Sequence, residues 1–142
     1  MRFYHTLTRS RLLGLLLSLM LVLLLAGQTV SSAKTERDGA THQLRMTYLE
    51  RLGYRVDGQH GESKTVRIPQ KFSAVYERYN GLQKQAGFDL SAYRGCTVTV
   101  YRYPLAEQPD RFLTLMVSDG TVIGGDVADT ALNGEMKPLK NG

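Results

Sequence analysis

Asp126 and Asp129 follow a Gly-Gly pair, with Asp119 a short turn upstream; of the acidic residues they are the best spaced to face one cation. A divalent metal held there could activate water for hydrolysis. The same GGD run after a strand is more simply a bend or bulge in which glycine relieves the backbone. Cys96 is the sole cysteine, with no histidine or other base near it in sequence. It alternates with Val98 and Val100 and reads as a small buried hydrophobe, and being single it can form neither an internal disulfide nor a thiolate metal cage. His42 and His60 are separated by a helix and lack ligand-spaced partners, so no zinc site is expected. There is no GxSxG, no phosphate loop and no HExxH. The reading assigns no catalytic residue, no metal and no cofactor.

A second grouping points to binding. In CTVTVYRYP, strand alternation sends Cys96, Val98, Val100 and Arg102 one way and Thr97, Thr99, Tyr101 and Tyr103 the other. With the Cys/Val side inward and helices on one side only, Thr97, Thr99, Tyr101 and Tyr103 form a wet face, with Arg94 close by in sequence. Exposed tyrosines interleaved with hydroxyls suit a sugar or peptide. The bland alternative is that these rings only shield the sheet.

These side chains must be held by a small set of elements. In THQLRMTYLERLG, Leu44, Tyr48, Leu49 and Leu52 make a short amphipathic helix stopped by Gly53. Tyr54 and Val56 read as a brief strand, DGQHGES as a loop, and TVRIP as a strand. The helix that supplies the main apolar face is expected over 70–86, opened by Pro69, with Phe72, Val75, Tyr76, Tyr79, Leu82 and Ala86 as its stripe. GFDLSAYRG then reads as a structural corner. Gly87 takes the left-handed backbone that ends a helix, Phe88 folds back, Asp89 accepts backbone hydrogen bonds from a tight turn, and Gly95 releases the chain into the next strand. Pro104 is expected to end central pairing. AEQPD reads as a turn, RFLTLMVS as a strand, Asp119-Gly120 as a hairpin turn into TVIGGDV, and the tail from Ala128 as irregular or only briefly regular.

The N-terminus is of another kind. Residues 12–30, LLGLLLSLMLVLLLAGQTV, are almost wholly apolar and follow Arg2, Arg9 and Arg11. At about 1.5 Å per residue they span roughly 28 Å, near the thickness of a bilayer's hydrocarbon core. The positive-inside rule then sets the N-terminus in the cytoplasm and the rest of the chain outside. Ser31 and Ala33 would suit signal peptidase, so secretion after cleavage near Ala33 is the alternative. Gln28 stands where a lipoprotein would carry cysteine. The chain divides into a signal or anchor over 1–33, a tether over 34–43 and a domain over 44–142. The net charge of +5 is no nucleic-acid signature. The first 33 residues hold three of the 18 Lys/Arg and none of the 13 Asp/Glu, which leaves the remainder only +2 in mixed charges.

TVRIPQKFSAVYERYNGLQKQAGFDLSAYRG, VTVYRYP and VSDGTVIGGDV together resemble a bacterial family known as domain of unknown function 4830, over roughly residues 44–139. The resemblance implies a Firmicute, chiefly clostridial, envelope domain behind one hydrophobic segment, and it supplies no activity. The chain departs from the family pattern after GGD, with Val127-Ala128 in place of Ile-Cys and Leu132-Asn133-Gly134-Glu135-Met136 in place of Leu-Asp-Gly-Phe-Met.

The fold expected is α+β, with two helices on an antiparallel sheet of about four strands. The function expected is a non-catalytic, extracytoplasmic, membrane-anchored interaction module contacting an envelope protein or glycan, with no nucleic-acid partner. The alternatives are a small metal-dependent hydrolase at Asp126/Asp129 and a self-associating accessory domain.

Overall fold

The computed structural model describes residues 36–130 and 134–140. The apolar run over 12–30, the cleavage site near Ala33 and the family departures at Leu132 and Asn133 lie outside the described residues. No described helix is long and apolar enough to cross a membrane.

The domain is α+β. Helix α1 (His42–Arg51) is followed by β1 (Glu62–Arg67), α2 (Ala74–Gln85), a 3-10 turn (Leu90–Tyr93), and β2 (Thr97–Leu105), β3 (Gln108–Ser118), β4 (Thr121–Asp129) and β5 (Met136–Pro138). The five strands form one antiparallel sheet in chain order. The fifth strand is the brief regular piece of the tail, where Met136–Pro138 pair with Ala128–Asp126.

Local chemistry accounts for most element ends. Thr41 and Ser73 cap the two helices by accepting from the Leu44 and Tyr76 N–H groups. The second helix thus begins at Ala74, later than Pro69. Its exit is a Schellman motif: Gly87 has φ +76°, its N–H donates to the Lys84 carbonyl, and the Phe88 N–H donates to that of Gln83. Asp119 (φ +46°) and Gly120 (φ +76°) make the two-residue turn between β3 and β4. The turn expected over 106–110 shortens to Ala106-Glu107, and Tyr54–Val56 supply only one bridge, Val56 to Leu105. Pro104 stays paired with Phe112, because its nitrogen faces the side of β2 that β1 does not reach.

Helices cover both faces of the sheet, and this overturns the expected wet tyrosine face. On one face α1 lays Tyr48, Leu49 and Leu52 against Tyr103, Leu113, Leu115 and Val127. On the other, Tyr76 and Tyr79 of α2, with Ile68 and Leu90, cover Val98, Val100, Met116 and Ile123. Val75, expected in the helical stripe, is 66% exposed, while Asn80 and Gln83 turn inward.

The outer edge of β4 is closed in three pieces. Val122 N–H donates to the Arg37 carbonyl and Gly39 N–H to the Gly120 carbonyl, so residues expected to be a free tether are stitched to the sheet. Farther along, β5 pairs with Asp126–Ala128. Between them the Gly125 N–H is caught by Gln83 Oε1 at 2.8 Å. The glycines are required by this crowding. A Cβ at Gly124 would meet Gln83 Oε1, and one at Gly125 would run into the Thr114 carbonyl and Leu139. The bulge expected near GGD is present at Ile123, where Val117 pairs Val122 and Met116 pairs Gly124.

Asn80 fixes the corner that follows α2. Its Oδ1 accepts from the Leu90 N–H at 2.7 Å, and its Nδ2 donates to Asp89 Oδ1 at 2.9 Å. Asn80→Ala leaves the buried Leu90 N–H without that acceptor, and we expect urea denaturation to show a loss of about 2 kcal/mol. An unchanged midpoint would show that the corner stands without the clamp.

Candidate functional site

The residues expected to form a binding face are not presented together. Tyr103 is 2% exposed, and its hydroxyl accepts from Arg45 Nε at 2.9 Å. Tyr101 lies under the Arg45 guanidinium, 3.6 Å from ring centroid to Cζ. The buried Arg45 also donates to the Gly39 carbonyl at 2.9 Å, so one cation binds α1, the sheet and the stitched segment together. Thr97 is exposed and Thr99 half-buried. Arg94 is on the α2 side, 4.4 Å from the Phe72 ring and 3.5 Å from Glu77. The expectation failed because it assumed one covered face.

The segment Gly87–Gly95 forms the passage from α2 to β2. Phe88 is buried and Arg37 stacks 4.7 Å over its ring. Asp89 accepts from the Ser91 hydroxyl (2.6 Å), the Ser91 N–H (2.9 Å) and Asn80. Those bonds, the Ser91 hydroxyl first, hold its carboxyl well below the usual range. Gly95 (φ +75°) and Cys96 together oppose Ile68 in a second bulge, with Gly95 N–H donating to the Ile68 carbonyl and Ile68 N–H to that of Cys96. Cys96 is exposed here, not buried, because the bulge turns it out of the sheet's alternation.

Asp126 and Asp129 project from opposite faces of β4. Asp129 lies 3.8 Å from Arg111 on the tyrosine face, and Asp126 faces α2, where it accepts from the Tyr79 hydroxyl at 2.8 Å. Three residues apart on a strand, the two carboxylates cannot share a cation. No group of three metal-ligating side chains occurs among the described residues. His60 instead contacts Asp57 (2.7 Å) and His42 packs edge-on to Tyr103.

What the fold does assemble is a charged cleft at the end of the valine face that α2 leaves uncovered. Cross-strand pairing sets Glu62, Arg102, Thr114 and Asp126 in one row. A cavity of about 280 Å³ opens there, lined by Glu62, Ser63, Lys64, Val100, Arg102 and Thr114. Arg102 lies 3.9 Å over Phe112. The cleft offers cations, a carboxylate and the Thr114 hydroxyl, and no nucleophile paired with a base. Its volume falls just under the roughly 300–1,000 Å³ usual for small-molecule sites. Its outer wall is the more telling feature. That wall is β1, and no described segment pairs with its outer edge.

A family model described as "Domain of unknown function (DUF4830)" matches residues 48–127. The chain belongs to that family. The DUF4830 match runs from the buried face of α1 to β4 and so includes the cleft, the corner and β1. Comparison with curated proteins gives no match, and comparison with solved structures gives none either. Sequence reasoning missed Glu62, Lys64 and Arg102 as a group; the alternation of β1, which puts Glu62 and Lys64 on one side with Val66, is a signal for the first two.

Burial raises the Asp126 carboxyl above its ordinary range, while the Tyr79 hydrogen bond and the Arg102 charge oppose the shift. The folded protein then holds this proton to higher pH than the unfolded chain does. Stability therefore rises as pH falls through the raised pKa and is least above it. As pH falls toward the ordinary carboxylate range, wild type should gain stability relative to Asp126→Asn, and Tyr79→Phe should move that gain to higher pH. Asp89 acts with the opposite sign, losing its contribution only below about pH 4. Parallel stability profiles for wild type and Asp126→Asn would contradict the assignment.

Proposed function

We propose that the chain is a non-catalytic interaction module of the bacterial cell envelope, in a Firmicute host as the family resemblance implies. It is anchored through residues 12–30, with the N-terminus in the cytoplasm and the domain outside, where it contacts a protein or glycan of the envelope. The anchor rests on the apolar run and on Arg2, Arg9 and Arg11 before it. The observation that carries the interaction role is the unequal treatment of the two sheet edges. The β4 edge is closed by backbone, by Gln83 and by β5, whereas β1 presents an exposed, six-residue edge.

An exposed strand of this length is a template for a further strand. The Ile68 N–H and carbonyl turn toward Gly95 and Cys96, so by alternation Val66, Lys64 and Glu62 also face β2. Ser63, Thr65 and Arg67 then direct their N–H and carbonyl groups outward. Main-chain pairing supplies affinity, and the alternating side chains with the adjoining cleft supply selectivity.

A photo-crosslinking residue placed at Ser63 of the full chain in cells tests this reading. We expect defined protein or glycan adducts in the membrane fraction from position 63 and none from Gln43, which is exposed on α1. An absence of adducts from 63, equal labelling from both positions, or recovery in the cytosolic fraction would overturn it.

A further inference from the structure

The charges on β1 identify the chemistry of a strand that would fit it. Glu62 and Lys64 flank Ser63, stand on the same face and are both exposed. Among the described residues neither has an ion-pair partner, although Arg55, Lys84, Arg94, Arg111 and Lys137 all find carboxylates. An antiparallel strand that satisfies both must carry a cation opposite Glu62 and an anion opposite Lys64, two residues apart and in reverse order. The segment Glu62-Ser63-Lys64 meets that requirement itself when read backwards.

We infer that the partner of β1 is a second copy of this chain, paired antiparallel about a two-fold axis through Ser63. The inference rests on the interaction role proposed above and names its partner. Edge-to-edge pairing about such an axis keeps each sheet face continuous, so residues facing one another must have the same parity. Centring on Ser63 satisfies this and sets Glu62 against the second copy's Lys64 and Lys64 against its Glu62. Ser63, whose N–H and carbonyl point outward, becomes a hydrogen-bonded pair with itself. Moving the axis to Lys64 would set the two Lys64 ammonium groups opposite each other. Moving it to Thr65 would leave Glu62 and Lys64 without opposite charges. Only the Ser63 register uses both. Lysine on an edge strand commonly repels further strands, and here the same lysine selects one register. The product is a ten-stranded sheet whose centre is β1 against β1, with the two charged clefts side by side.

The inference is tested with the purified full chain in detergent, following association by sedimentation over a range of concentrations. Wild type should form dimers. Lys64→Glu puts carboxylate against Glu62 twice, and Glu62→Lys puts ammonium against Lys64 twice. Each should weaken association roughly tenfold, since both cross-strand pairs reverse. The double substitution should restore it, and a mixture of the two single variants should form mixed dimers in preference to either homodimer. At concentrations where all four proteins are monomeric they should melt alike, since both side chains are exposed. A monomeric wild type, single variants that associate as wild type does, or a mixture without preference would overturn self-pairing. Crosslinks from Ser63 to a different molecule and none to a second copy would overturn self-pairing and leave the interaction module standing. No crosslink of any kind would remove both.

Discussion

A row of backbone hydrogen-bonding groups along the outer side of β4 constrains how everything else is arranged. Those N–H and carbonyl groups are buried, so each needs a partner inside the protein. No single strand supplies them. The chain around Gly39 takes the first part, Gln83 takes the Gly125 N–H, and β5 takes the last. Each of these ties a distant element to one strand. The segment before α1 is pinned, α2 is fixed along its axis by a side chain three residues from its C-cap, and the C-terminal tail is drawn into the sheet. Gly124 and Gly125 follow from the same requirement, because only an edge without Cβ atoms can be approached this closely from both sides.

Polar side chains carry much of the specification inside the core. Arg45, Asn80, Gln83 and Asp126 are all buried; Asn80 clamps the corner just after its own helix, and the other three join elements far apart in sequence. Arg45 reaches Tyr103 across 58 residues, and Tyr79 reaches Asp126 across 47. An apolar side chain at these positions could slide against its neighbours, whereas a hydrogen bond at 2.7–2.9 Å permits one register. The Asp126 carboxyl remains costly in its charged form, since its partners offset only part of its desolvation.

The contrast between the two edges gives the domain its polarity. With both faces under helices and the β4 side sealed, the β1 edge and the charged cleft behind it are left open among the described residues. Arg102 and Thr114 form the cleft floor because α2, twelve residues long, covers Val98, Val100 and Asp126 but leaves Arg102 exposed and Thr114 half-exposed. Accessible polar groups thus lie where packing stops.

Much of the fold was legible in the residues alone. The α+β class, the helix ending at Gly53, the corner of Gly87 to Gly95, the Asp119-Gly120 turn and the irregularity near GGD all follow from apolar period, positive-φ glycine and turn chemistry, which act within a few residues. Tertiary structure alone decided that Tyr103 is core, that Arg45 is buried against its hydroxyl, that Cys96 faces solvent and that Asp126 and Asp129 part company. It also decided which edge is sealed. Alternation tells which side chains share a face but not which face a helix will cover, since either face of β2 has enough apolar area to bury. That choice is made by partners 42 to 58 residues away, through Gln83 to Gly125 and Arg45 to Tyr103. A bond formed over such a separation leaves no pattern in either local stretch, so the open edge of β1 becomes visible only once the rest of the sheet has found its partners.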